Sequence, residues 1–209
     1  MSGPDRGRFI AFEGGEAAGK STQAERLARR IGALRTFEPG ATVAGATIRS
    51  IFLDPATGDL DPRTEALLMA ADRAEHVASQ IGPALAAGQH VVTDRYLYSS
   101  VAYQAHGRGL DPAQVRDLSL WATGGLEPDL VVLLDVPVDV ARARVRHAAP
   151  DRLESESVEF HDRVRSGFHA QATADADRWI IVDATGDVDG IEEQIWLRVE
   201  SLLGPGWAT

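Results

Sequence analysis

The residues best suited to chemistry sit together near the start of the chain. Gly14-Gly15-Glu16-Ala17-Ala18-Gly19-Lys20-Ser21 has the form G-x-x-x-x-G-K-[ST], and Thr22 follows it. Glycines at these positions let backbone N–H groups curl around phosphate oxygens. Lys20 then reaches the β- and γ-phosphates, and the Ser21 hydroxyl is a ligand for Mg2+. Random placement of this chain's Gly, Lys, Ser and Thr would produce such a match in about one chain in a thousand. Lys20 is also the sole lysine among 21 Lys and Arg residues. The pattern marks residues 14–22 as an ATP-Mg cradle.

A second set stands at Asp94-Arg95-Tyr96, where the apolar run His90–Asp94 ends. In an open α/β sheet, ligands bind outside the carboxyl ends of the strands. From there Asp94 can hold the water shell of Mg2+ and Arg95 can bind a phosphate. A plain Asp–Arg ion pair is the other reading of the same two residues. A third set is Arg142, Arg144, Arg146 and Arg152, which flank a polar stretch at residues 147–159 containing Pro150. The stretch reads equally as a mobile lid or a surface loop, and the arginines as catalytic cations or as solvated surface.

Strands must present these groups at one edge. Arg8–Glu13, His90–Asp94, Leu130–Asp135 and Trp179–Asp183 are short apolar or β-branched runs without polar alternation, which suits strands buried on both faces, and Leu34–Glu38 is a weaker run of the kind. Helical spacing lies between them. Ala24, Leu27, Ala28 and Ile31 share one face, as do Leu67, Ala71 and Ala74, and later Ile191, Ile195, Val199 and Leu202. Alternating strands and helices predict a three-layer α/β fold with a five-stranded parallel sheet flanked by helices. One domain spans residues 1–209, with loose ends at 1–7 and 204–209.

Composition narrows the function. A formal charge of −10 disfavours nucleic acid and anionic membrane surfaces as partners, since phosphate backbones attract excess Lys and Arg. Without cysteine there is no disulfide, thiolate metal site or cysteine nucleophile. The longest apolar run, Leu130–Leu134, is far short of the ~20 residues a membrane helix needs, and no apolar segment follows Met1. A cytoplasmic location is the expectation. The guanine-reading motif N-K-x-D of GTPases cannot exist in a chain with no Asn and one Lys. A kinase of a nucleotide or small metabolite fits the length best.

The motifs, taken in order, resemble the bacterial thymidylate kinase family over most of the chain. Beside Phe12–Thr22, they are Thr36-Phe37-Glu38-Pro39-Gly40-Ala41-Thr42, Ile48-Arg49-Ser50 with Leu53-Asp54, and Asp72-Arg73-Ala74-Glu75-His76. Next come Asp94-Arg95-Tyr96 with Ser99, Ser100, Ala102-Tyr103-Gln104 and Gly107-Arg108-Gly109. Pro128-Asp129-Leu130 with Leu134-Asp135-Val136-Pro137, and Asp151-Arg152-Leu153-Glu154, complete the series. Two positions depart from the family: Phe37 replaces an Arg, and Met69 replaces an aromatic ring stacked on thymine.

The resemblance implies transfer of the γ-phosphate of ATP to dTMP, with Mg2+, by a homodimer. It implies that Gly14 to Thr22 and Arg142 bind ATP, and that Lys20, Arg95, Arg146 and Arg152 act on the transferring group. Arg49 and Arg95 would hold the acceptor phosphate, with Glu16 beside its sugar. Arg73 would meet thymine O4, and Ser100 and Gln104 would lie along the base. Met69, one helical turn before Arg73, reads either as a core residue or as a dTMP-binding residue on the thymine face. Tyr103 would pack beneath the deoxyribose and crowd out a 2′-OH. With no Arg among Glu16, Ala17 and Ala18, this chain resembles family members whose catalytic arginine comes from the lid. Two rival readings stay open: another nucleotide or nucleoside kinase, and a non-catalytic ATP-sensing module.

Overall fold

A computed structural model describes residues 6–144 and 150–204. Its sheet is built of β1 (Phe9–Glu13), β2 (Leu34–Phe37), β3 (Val91–Asp94), β4 (Leu130–Asp135) and β5 (Trp179–Asp183). All pairings are parallel, in the order β2-β3-β1-β4-β5. The predicted strands are thus present, β2 being short because Glu38 already turns toward the ligand edge. Alternate residues of β1 feed two cores, as the two-residue period of a strand requires. Phe9 and Ala11 pack with Tyr96, Tyr98 and Phe168 on one face; Ile10 and Phe12 pack with Leu27, Ile31, Ile195 and Val199 on the other.

The second core is covered by α1 (Lys20–Ile31) and α9 (Val188–Leu203), whose apolar stripes face the sheet as their spacing predicts. On the first face lie α2 (Val43–Leu53), α3 (Pro62–His76), α4 (Gly82–Ala86), α5 (Leu97–Ser100), α6 (Pro112–Thr123) and α8 (Val158–Ala174). π-helical turns at Val77–Ile81 and Val101–Gly107 extend α3 and α5, and the helix α7 (Val138–Arg144) follows β4. Thr42 caps α2 by accepting from the Gly45 N–H at 2.9 Å, and Asp61 and Asp111 cap helices that open on proline.

Two expectations are corrected. The stripe Leu67–Ala71–Ala74 was expected to be the inner face of its helix. Leu67 and Ala71 instead point outward, and α3 buries Glu65, Met69, Asp72, Arg73 and His76. Polar groups bonded to other segments share that inner face with Ala66, Met69 and Ala70, so hydropathy alone points to the wrong side. Arg6 and Gly7, expected to be loose, are tied down. Gly7 donates its N–H to the Leu85 carbonyl at 2.9 Å, and Arg6 pairs with Asp129 at 3.1 Å. The register sets Phe12 beside Asp94, and Glu38 donates its N–H to the Asp94 carbonyl. Three strand ends therefore deliver the Gly14 loop, Glu38 and Asp94–Arg95 to one crevice, where the order reverses about β1.

Candidate active site

Residues 14–22 wrap a concave loop between β1 and α1. Gly14 lies at φ 140°, and a Cβ there would stand 2.4 Å from the Leu134 carbonyl oxygen, so only glycine fits. Lys20 bends back across the loop and donates to the Gly15 carbonyl at 2.6 Å. Burial pushes its ammonium pKa down, Arg95 adds to that, and Glu16, Asp94 and Glu13 oppose it. Ser21 donates to Asp94 Oδ2 at 2.5 Å. Mg2+ uses one or two protein oxygens and fills its shell with water and phosphate, and these adjacent hard donors suit it. No group of three or more His, Asp or Glu able to cage a metal exists among the described residues.

Arg95 is held in the left-handed backbone region, at φ 71°. That conformation is costly for a side-chain residue and persists only where the surroundings over-determine it. Glu13, fully buried, supplies the constraint. Its Oε1 accepts from the N–H groups of Tyr96 at 3.0 Å and Ser99 at 3.2 Å, and its Oε2 from the Ser99 hydroxyl at 2.6 Å. Burial raises the Glu13 carboxyl to about 7 against the lowering pull of these bonds and of Arg95. The Arg95 guanidinium then reaches the Gly14 carbonyl at 3.0 Å, Glu16 at 2.7 Å and the Tyr103 hydroxyl at 3.3 Å. Tyr103 also donates to Glu16 at 2.9 Å. Burial would raise Glu16, but Arg95, Lys20 and Tyr103 outweigh it and hold the carboxyl at about 2.

Beside the cradle lies a second cavity. All eight residues expected around the acceptor line it: Glu16, Arg49, Met69, Arg73, Arg95, Ser100, Tyr103 and Gln104. Arg73 is 2% exposed and commits four of its five N–H groups. Nε donates to Glu38 at 2.8 Å, Nη1 to Ser119 at 3.3 Å, and Nη2 to the Tyr96 carbonyl and to Ser100 Oγ, both at 3.2 Å. His76 Nδ1 stands 3.0 Å from the other oxygen of Glu38. Met69 belongs at once to the core cluster and to the cavity wall, where Phe52, Leu53 and Leu153 join it. Phe37 stands outside this cavity, beside the cradle. Glu16, Glu38, Arg49 and Arg95 line both spaces, so the two meet at a row of charges.

The arginines of the third set part company. Arg144 lines the cradle, its Nη1 3.5 Å from the Ala17 carbonyl and its Nη2 2.9 Å from that of Ala184. Arg142 borders a different cavity, with Gly15, Glu16, Asp135, His161 and Arg165. Arg152 is buried on Glu65 and does not reach the cradle. Arg146, with residues 147–149 of the expected lid, lies outside the described residues. Sequence reasoning missed Glu13, Glu38 and Glu65 as site acids. Glu13 and Glu38 were marked by their places at strand ends and inside two of the family-like motifs, and nothing marked Glu65.

Two cavities joined at charged residues, one of them shaped for polyphosphate, define a phosphotransferase of the P-loop class. The family model described as thymidylate kinase matches residues 12–195. The thymidylate kinase of Leifsonia xyli subsp. xyli is 51% identical over 201 residues, covering 93% of this chain and 95% of that one. The thymidylate kinase of Thermomicrobium roseum is 48% identical over 205 residues, covering 95% and 97%. That of Solidesulfovibrio magneticus is 46% identical over 208 residues, covering 93% and 100%. The chain belongs to the thymidylate kinase family. No helix among the described residues is long and apolar enough to cross a membrane.

Proposed function

We propose that the protein transfers the γ-phosphate of ATP to the phosphate of dTMP, giving dTDP, in the cytoplasm. The observation that carries this reading is the shared wall: Arg95, Arg49 and Glu16 line both the cradle and the acceptor cavity, which brings two phosphates together. The nucleophile is a phosphate oxygen, already anionic at neutral pH, so no general base is required. The barrier is lowered by alignment and by cations around the transferring group. Lys20 and Arg144 serve the donor side, and Arg95 and Arg49 the acceptor phosphate. Mg2+, when bound through Ser21 and Asp94, neutralises phosphate charge. Glu16 orients Arg95 and Tyr103, and Arg73, held by Glu38, presents its remaining Nη1 proton to the base.

ADP release measured with each nucleoside monophosphate tests the reading. Turnover is expected to be highest with dTMP. A faster substrate, or no turnover with any, overturns it and separates the other-kinase and ATP-sensing alternatives. The same assay on Tyr103→Ala is expected to narrow the preference for dTMP over ribothymidine monophosphate, because the ring beneath the sugar is gone. An unchanged ratio removes Tyr103 from the sugar site.

We further propose a homodimer formed through α2, α3 and α6. Val43, Ile51, Leu67 and Trp121 are four of the eight large apolar side chains exposed among the described residues. α2 packs on α3, and α3 on α6, so the four stand on adjoining helices. Trp121 is 82% exposed, a cost that a partner surface removes. Light scattering is expected to give a dimer for the parent and a monomer for Trp121→Glu with an unchanged melting profile per chain. A monomeric parent at micromolar concentration defeats this assembly.

A further inference from the structure

Glu65 has no exposed surface and gathers donors from two separate segments, residues 104–108 and Arg152. Arg152 Nη1 reaches its Oε1 at 2.5 Å, Arg108 Nε its Oε2 at 3.2 Å, and Gln104 Nε2 the same Oε2 at 3.2 Å. Arg108 reaches on to Glu156 at 2.5 Å. Arg152 is fixed twice more: its Nε donates to the Phe52 carbonyl at 2.8 Å and its backbone N–H to the Leu53 carbonyl at 3.1 Å. Its chain neighbours Asp151 and Leu153 line the acceptor cavity, as do Phe52, Leu53 and Gln104.

The charges dictate how Gln104 faces. A carboxylate held by two guanidiniums is an acceptor only, so the Gln104 amide must turn its NH2 toward Glu65. Its carbonyl oxygen is then the atom left for the cavity. A carbonyl there accepts from a base bearing an N–H at ring position 3, as thymine does. It repels cytosine, whose N3 is itself an acceptor.

We propose that Glu65 is a specificity-determining positioning residue that fixes the Gln104 amide for an N3–H pyrimidine, and that Arg152 serves this acceptor pocket by clasping Glu65. The inference rests on the thymidylate kinase reading. In this reading Arg152 is a positioning residue, bonded to Glu65 and to the Phe52 carbonyl.

Three calorimetric and kinetic comparisons test it on the full chain. The parent is titrated first with dTMP and dCMP; a parent that binds both alike defeats the substrate reading itself. Glu65→Gln keeps the shape but lets residue 65 donate, so Gln104 can flip. The ratio of the dCMP to the dTMP dissociation constant is expected to fall about tenfold, the change expected from one hydrogen bond, with affinity for ATP unchanged. An unchanged ratio overturns the proposal. Arg152→Ala is expected to raise the KM for dTMP about tenfold or more with kcat within about threefold. A loss of kcat of about a hundredfold at unchanged KM would make Arg152 a cation of the transition state and overturn the assignment. Should Arg152→Ala not fold, Arg152→Lys keeps the charge on Glu65 and loses the bond to Phe52. It is expected to retain most of the dTMP affinity, and a collapse of kcat alone in that variant overturns the proposal equally.

Discussion

Lys20→Ala is expected to lower kcat by about 10²–10³ or more while the protein stays folded. The ammonium spans the loop to the Gly15 carbonyl at 2.6 Å and is 7% exposed. It is the positive charge best placed for the bridging and terminal oxygens of a polyphosphate. With no phosphate beside it that charge is costly. Burial and Arg95 both disfavour it, and Glu16, Asp94 and Glu13 only partly compensate, so its pKa is lowered. Replacing it removes a desolvated charge and places a good helix former at the first residue of α1. The ligand-free melting temperature is therefore expected to hold or rise, and the rise normally produced by ATP-Mg to shrink. Steady-state turnover and thermal melts with and without ATP-Mg decide it. Near-normal turnover in the variant would sink the cradle assignment, and loss of folding would show the loop to depend on Lys20 structurally.

What the sequence made legible follows from range. The cradle is contiguous, so its eight positions can be read together. The strands are short apolar runs whose burial on both faces leaves no alternation, as in Leu130–Leu134. The helix α3 shows where such reading stops. Its spacing picks out Leu67 and Ala71, which lie outside, because its inner face carries Glu65, Asp72, Arg73 and His76. Those polar groups are stable inside only through partners far along the chain. Arg73 finds Glu38 from 35 residues away, and Arg152 finds Glu65 from 87. No local pattern announces such pairs; they exist only once α2, α3 and residues 151–153 are packed together. The grouping of Arg49, Arg73, Tyr103 and Gln104 was likewise invisible to periodicity, and came from likeness to a family. Arginine clusters show the same limit. Arg142, Arg144 and Arg152 are alike in sequence, yet one borders a side cavity, one enters the cradle and one grips a buried acid.

That separation fixes the second large effect. Arg144→Ala is expected to lower kcat by about 10³, with the KM for dTMP within about threefold of the parent. Its Nη1 lies 3.5 Å from the Ala17 carbonyl, and its Nη2 bonds to the carbonyl of Ala184 at 2.9 Å. Its three hydrogen-bond partners, Ala17, Ala184 and Thr185, are neutral carbonyls, which leaves the guanidinium free to meet phosphate oxygens in the cradle it lines with Lys20, Ser21 and Thr22. A cation that meets charge growing on the transferring group is felt in the transition state more than in the ground state, so the loss falls on kcat. No arginine occupies Glu16, Ala17 or Ala18, so the loop itself offers no substitute. Arg142, on the neighbouring cavity, is expected to affect ATP affinity and not the chemical step. Single-turnover rates of Arg142→Ala, Arg144→Ala, Arg146→Ala and Arg152→Ala, each at saturating ATP-Mg and dTMP, separate these roles. Full chemical rate in Arg144→Ala together with a collapse in Arg146→Ala would move the catalytic cation two residues along. Full rate in all four would mean that Lys20, Arg95 and Mg2+ suffice.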